Sequence, residues 1–188
     1  AQKFEMVIDE FVENETKYWR TLDAFVRFYL WELEAITSGI AGPKAKQYIG
    51  MTNRQFRFIF GALLQVHHVI QELSSYFQIL CMVDAEAKHP VGRVGYFAEA
   101  LENYVRMSRR VYADYLSRFN YGRDLLQLLQ KDLSSHTLGP GDLVRHLNFK
   151  ELWTEVTRNC GEKLLTDASV DTLLISPVRR FPNYGLFA

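Results

Sequence analysis

Apolar residues near the start of the chain fall at positions 4, 7, 8, 11, 18, 22, 25, 26, 29, 30, 33 and 36. This three-and-four spacing marks one helical face and predicts a single long helix from Phe4 to Ile36. Ser38, Gly39 and Gly42-Pro43 suit its end and a loop beyond it. Thr52 followed by Gln55 has the form of a capping box, and the apolar-rich run from Phe56 to about Val83 has no proline and no glycine except Gly61. A second helix is expected there.

His89-Pro90 marks the next break. Val91 to Leu116 and Tyr121 to Leu133 both show helical spacing, with Asn120 and Gly122 as a kink between them. Residues 134 to 142, SSHTLGPGD, read as a loop, and a shorter helix is expected from Phe149 to Cys160, ended by Gly161. The last element runs from Ser169 to the chain end and contains Pro177 and Pro182, so it should bend or restart. No alternating run is long enough to force a sheet, and no internal repeat occurs. The pattern therefore predicts an all-α chain built as a multi-helix bundle.

Composition narrows the function. A chain of 188 residues suits one domain, and one of this size buries about 70% of its unfolded surface. It is 48% hydrophobic and 23% charged, the make-up of a soluble globular protein. Lysine plus arginine and aspartate plus glutamate both total 22, so no long-range field recruits nucleic acid. The same balance argues against a membrane-bending helical dimer, which needs clustered basic residues. Cys81 and Cys160 lack any paired-ligand spacing and fit buried thiols in a reducing compartment. FIFGALL, the densest apolar run, is far too short to span a bilayer. A cytoplasmic setting is expected, and a start at Ala1 rather than Met fits a piece of a longer parent.

Candidate chemistry is sparse. His67-His68 lacks an HExxH layout, and His89, His136 and His146 have no second ligand at helical spacing, so no metal site is expected. Gly42-Pro43-Lys44 lacks the rest of a phosphate loop, and GxGxxG does not occur, which leaves no cofactor or nucleotide site. No nucleophile, base and orienting group can be assembled into covalent catalysis. Trp19, Trp31 and Trp153 suit core or edge packing. On the first helix the apolar stripe centres near Phe11, Tyr18 and Leu22, and Glu10 lies about 110° away, beside Asn14, Lys17 and Thr21. It is either a solvated carboxylate or one that faces a partner. Glu15 falls on the stripe itself, where an unpaired carboxylate is costly, so it needs a partner inside.

Four segments in order resemble stretches of the Dbl-homology domain of Rho guanine-nucleotide exchange factors, three of them its signature blocks. VIDEFVENETKYWRTL, residues 7 to 22, is similar to the opening block, with Glu10, Glu15, Tyr18 and Leu22 matching and Asn14 where the family usually has threonine. FIFGALLQVHHVIQEL, residues 58 to 73, resembles the family's Ile-Phe-Gly helix with its histidine. Residues 91 to 129 resemble the second block through Tyr112, Tyr115 and FNYGRDLLQLL. LLISPVRRFPNYGLF, residues 173 to 187, is similar to Leu-Leu-Ile-Lys-Pro-Val-Gln-Arg-x-x-x-Tyr-Pro-Leu-Leu and is the most specific of these matches.

The resemblance implies an elongated helical bundle spanning 1–188 as a single domain, short of the family's final contact helix and of the pleckstrin-homology domain that usually follows. It implies a Rho-family GTPase partner (Rho, Rac or a relative), a role in actin cytoskeleton signalling, and membrane recruitment through flanking domains rather than insertion. The implied GTPase contacts are Glu10, Asn14, Ile175, Ser176 and Arg179, and Arg180, which matches the family arginine, becomes the proposed mate of Glu15. Ser176 stands where many members carry a GTPase-contacting lysine. That departure signals either altered partner choice or weak exchange, or a position that tolerates variation. A catalytically degenerate fold serving as a GTPase-binding scaffold is the alternative.

Overall fold

The computed structural model describes residues 2–40, 51–82, 92–131, 169–184 and the positions 153, 154, 156 and 158. Its helices are α1 (Gln2–Ala24), a π-helical turn (Phe25–Leu30), α2 (Trp31–Thr37), α3 (Asn53–Met82), α4 (Gly92–Gln130) and α5 (Val170–Tyr184). Trp153, Thr154, Val156 and Arg158 are also helical, and no strand occurs among the described residues. The all-α expectation holds. The loop expected at 134–142, the Gly42-Pro43 and His89-Pro90 breaks, and most of the helix expected at 149–160 lie outside the described residues.

The first helix differs from the uninterrupted one expected. It continues from α1 into α2 through a π turn, in which the Trp31 N–H donates to the Val26 carbonyl five residues back. Phe25, Val26, Tyr29 and Leu30 are all buried there, so the core-facing apolar surface is wide enough to accept the extra residue. The end of α2 is a Schellman closure: Ile40 N–H bonds Ala35 O at 3.0 Å and Gly39 N–H bonds Ile36 O at 3.2 Å. Gly39 takes φ +78°, the left-handed conformation that this closure requires.

The capping box at the start of α3 forms in both directions. Gln55 N–H donates to Thr52 Oγ1 at 3.2 Å, and Thr52 N–H donates to Gln55 Oε1 at 2.8 Å, a pairing worth about 1 kcal/mol to the helix end. α4 is one helix of 39 residues, about 58 Å long, and that length gives the bundle its elongation. The helix runs unbroken through Asn120 and Gly122, where a kink was expected. Gly122 faces α3, where an added Cβ would stand 3.5 Å from Ile59 Cα, an ordinary van der Waals contact that leaves room for a methyl and little more.

α3 and α4 share the largest interface in the bundle, and α1 packs against both. Phe11 of α1 meets Phe77 of α3 edge-on at 5.6 Å and Phe97 of α4 at 5.3 Å, while Phe77 and Phe97 stack at 6.2 Å. One aromatic cluster thus ties three helices, with each offset or edge contact adding about 1 kcal/mol to the burial of the rings. At the other end Trp153 stacks on Tyr29 at 5.4 Å. Trp31 is more exposed than core packing would make it, and its ring lies under Arg27.

Of the bend or restart expected in the last element, the restart does not occur: α5 runs unbroken from Val170 to Tyr184 through Pro177 and Pro182. Ser169 caps it, accepting the Thr172 N–H at 3.2 Å.

Candidate functional surface

Glu10, Asn14, Lys17 and Thr21 are all exposed on α1, as expected for one outward face of a helix. Glu15, only 3% exposed, lies on the opposite, core-facing side. Arg180 of α5 reaches it: Nε donates to Glu15 Oε1 at 2.7 Å, and an NH2 group bonds the same oxygen. A buried carboxylate requires such a cation. The guanidinium also lies over the Tyr18 ring at 5.8 Å. These contacts bring the α5 segment against the first helix.

On that segment Leu173, Leu174 and Pro177 are buried, Ile175 and Ser176 are half-buried, and Arg179 is exposed. Of the residues expected on the partner surface, Glu10, Asn14 and Arg179 therefore stand in solvent. Ile175 is partly available. Ser176 turns its hydroxyl to its own helix, donating to Leu173 O at 2.8 Å.

Beneath the surface lies a layer of tyrosines. The Tyr104 hydroxyl donates to that of Tyr112 at 3.2 Å, and the buried Tyr115 hydroxyl donates to the Leu174 carbonyl. Burial pushes the Tyr18 phenol well above its usual range, with Tyr112 and Glu15 beside it acting in the same direction. Burial raises the Tyr115 phenol as well. The spacing of Tyr112 and Tyr115, three apart on α4, placed both on one helical face. It did not reveal that Tyr115 would hold α5.

A second polar tie escaped the sequence reading. His67 of α3 meets Asp23 of α1 at 2.9 Å, and Arg27 donates to the same carboxylate oxygen at 2.9 Å. The His67–Asp23 contact joins positions 44 apart, whereas Asp23 and Arg27 lie one turn apart on the same helix.

A groove of about 830 Å³ opens between the start of α1 and α4, walled by Val7, Ile8, Phe97, Leu101 and Val105 with Arg106 and Arg109 at its rim. Its wall is largely apolar and holds no nucleophile and base in register. Among the described residues no group of three metal-ligating side chains occurs, and no helix is long and apolar enough to cross a membrane. The arrangement suits recognition of another macromolecule by an exposed carboxylate, amide and guanidinium held on a rigid frame.

The family model of the RhoGEF domain matches residues 7–188 of the chain. No curated protein and no solved structure matches the chain significantly.

Proposed function

The chain belongs to the RhoGEF domain family, and from that premise we propose that it binds a Rho-family small GTPase and promotes GDP release by stabilising the nucleotide-free state. Membership supports exchange activity on Rho-type GTPases in general. The single observation that carries the finer reading is the Glu15–Arg180 pair. It locks α1 to α5 from the inside, while Glu10 and Asn14 on one helix and Arg179 on the other remain exposed.

Exchange by this route needs no covalent step. A protein that binds the nucleotide-free GTPase more tightly than the loaded form shifts the equilibrium toward release by that difference alone. Glu10 can accept hydrogen bonds from backbone amides and hydroxyls of a switch loop, competing with the magnesium and phosphate contacts that hold the loop closed. Asn14 extends the same face by one turn. Ile175 supplies apolar contact, and Arg179 offers the exposed cation on the α5 segment.

The test is release of a fluorescent guanine nucleotide from a panel of Rho, Rac and related GTPases. Accelerated release from at least one member, and its loss in Glu10→Ala, is the expected result. A second reading, a GTPase-binding scaffold without exchange, is favoured by the serine at position 176, which carries no charge where many family members have a lysine. It predicts binding that is indifferent to nucleotide state and unaffected by Glu10→Ala.

A further inference from the structure

Pro177 sits in the interior of α5. Having no N–H, it cannot donate to the Leu173 carbonyl one turn back, and a proline at such a position ordinarily kinks or breaks a helix. Two hydroxyls meet the backbone at this point. Ser176 donates to the Leu173 carbonyl at 2.8 Å, and Tyr115, reaching across from α4, donates to the neighbouring Leu174 carbonyl. The carbonyl that proline leaves without its helical donor is thereby satisfied from the preceding side chain, and the next one is tethered to the core.

The helix continues beyond the proline and delivers two adjacent arginines to different places. Arg180 enters the seam with Glu15, whereas Arg179 is exposed. A change in helix direction at Pro177 would move both at once, because everything from Val178 onward rides on that single turn.

We propose that Ser176 is a positioning residue: its hydroxyl, together with the Tyr115 phenol, carries α5 unbroken through Pro177 and so fixes the direction in which Arg179 is presented to the partner. A hydroxyl has one proton, and here it is committed to Leu173. Serine at 176 therefore acts through backbone geometry, and the cation of this segment is supplied one turn on by Arg179. The inference rests on the exchange reading for its functional half and on the helix alone for its structural half.

The experiment has one arm for each half. Spin labels at Thr21 and Arg179, in a chain with Cys81 and Cys160 replaced by serine, report the separation of α1 and α5. A single narrow distance distribution is expected for the parent and for Ser176→Thr, which keeps the hydroxyl, and a shifted or broadened one for Ser176→Ala. In the nucleotide-release assay, Ser176→Ala should slow release about fivefold, the loss matching one ordinary net hydrogen bond. Ser176→Thr should recover release to within about twofold of the parent. On an Arg179→Ala background, Ser176→Ala should cost nothing further. A parental distance distribution in Ser176→Ala overturns the proposal, as does faster release by Ser176→Lys, which would mean that position 176 itself faces the GTPase. Should the parent release nucleotide from no GTPase, the exchange reading fails by itself, and the distance measurement still decides whether Ser176 holds the helix.

Discussion

Arg180 and Glu15 meet across 165 residues of chain, with the arginine Nε donating to the carboxylate at 2.7 Å. Glu15 is almost wholly inside the protein, while the Arg180 side chain keeps about a quarter of its surface in water. The pair is therefore asymmetric: the carboxylate depends on the arginine more than the arginine depends on it.

Arg180→Ala should destabilise the fold by about 3 kcal/mol, because it strands a buried carboxylate. Glu15→Leu with Arg180→Met should recover much of that, since paired apolar replacements remove the desolvation cost along with the attraction. Denaturant midpoints of Glu15→Leu, Arg180→Met and the double variant form the cycle. Strict additivity of the single effects would rule out the coupling.

Glu10→Ala should leave stability within about 0.5 kcal/mol of the parent, as expected for an exposed position away from caps and core. If Glu10 holds a switch loop, nucleotide release should fall by about 2 kcal/mol in barrier terms, some thirtyfold. Measuring the melting temperature alongside the rate separates lost contact from lost fold. Unchanged release would remove Glu10 from the contact surface.

At the α3–α4 crossing, Gly122→Ala should raise stability by up to about 1 kcal/mol, since the added methyl meets Ile59 at ordinary van der Waals distance and helix interiors favour alanine. Gly122→Leu should have the opposite sign, because a branched chain cannot fit between the two backbones. Thermal melts of both variants decide it, and a destabilised alanine variant would show that the crossing has no room for a methyl.

Alkaline pH should weaken the fold through Tyr18 and Tyr115. Both phenols are raised from a starting value of 10.0, so their stabilising effect is complete below that pH and declines above it, as the unfolded chain ionises while the folded one does not. Each contributes a slope of about 1.4 kcal/mol per pH unit above 10. Denaturant unfolding at pH 9, 10 and 11 should show the decline, and Tyr115→Phe should make it shallower. An identical slope in that variant would exclude Tyr115 as a source.

The helices were legible because their apolar residues repeat at 3.6, and Glu15 stood out as a carboxylate on that stripe. Periodicity was blind to the π turn, since Phe25, Val26, Tyr29 and Leu30 satisfy either winding. Gly122 was read as a kink and Pro177 as a bend or restart, from their backbone preferences alone. Each is held inside a helix by something remote in sequence: Ile59 packs against the glycine, and the Tyr115 phenol bonds the turn that contains the proline. The pattern of one segment cannot display what a distant one supplies. The exposed face of α1 was readable from a helical wheel, whereas the inward turn of the Ser176 hydroxyl depends on a carbonyl that only the folded helix presents.

The π turn carries a consequence of its own. By holding one residue more than α-helical winding needs, Phe25–Leu30 sets the rotational phase of everything before it relative to everything after it. Glu10 and Glu15 lie on one side, and Leu33 and Ile36 lie on the other. Loss of a single residue from this stretch would let it close as an ordinary α-helical turn with the two halves still in phase. Loss of a residue between Glu10 and Glu15, such as the exposed Glu13, has no such outlet and would turn the two carboxylates by about 100° against each other. Deletion of the exposed Arg27 should therefore harm stability and nucleotide release far less than deletion of Glu13. The wide turn is where this helix can give up a residue and keep its faces.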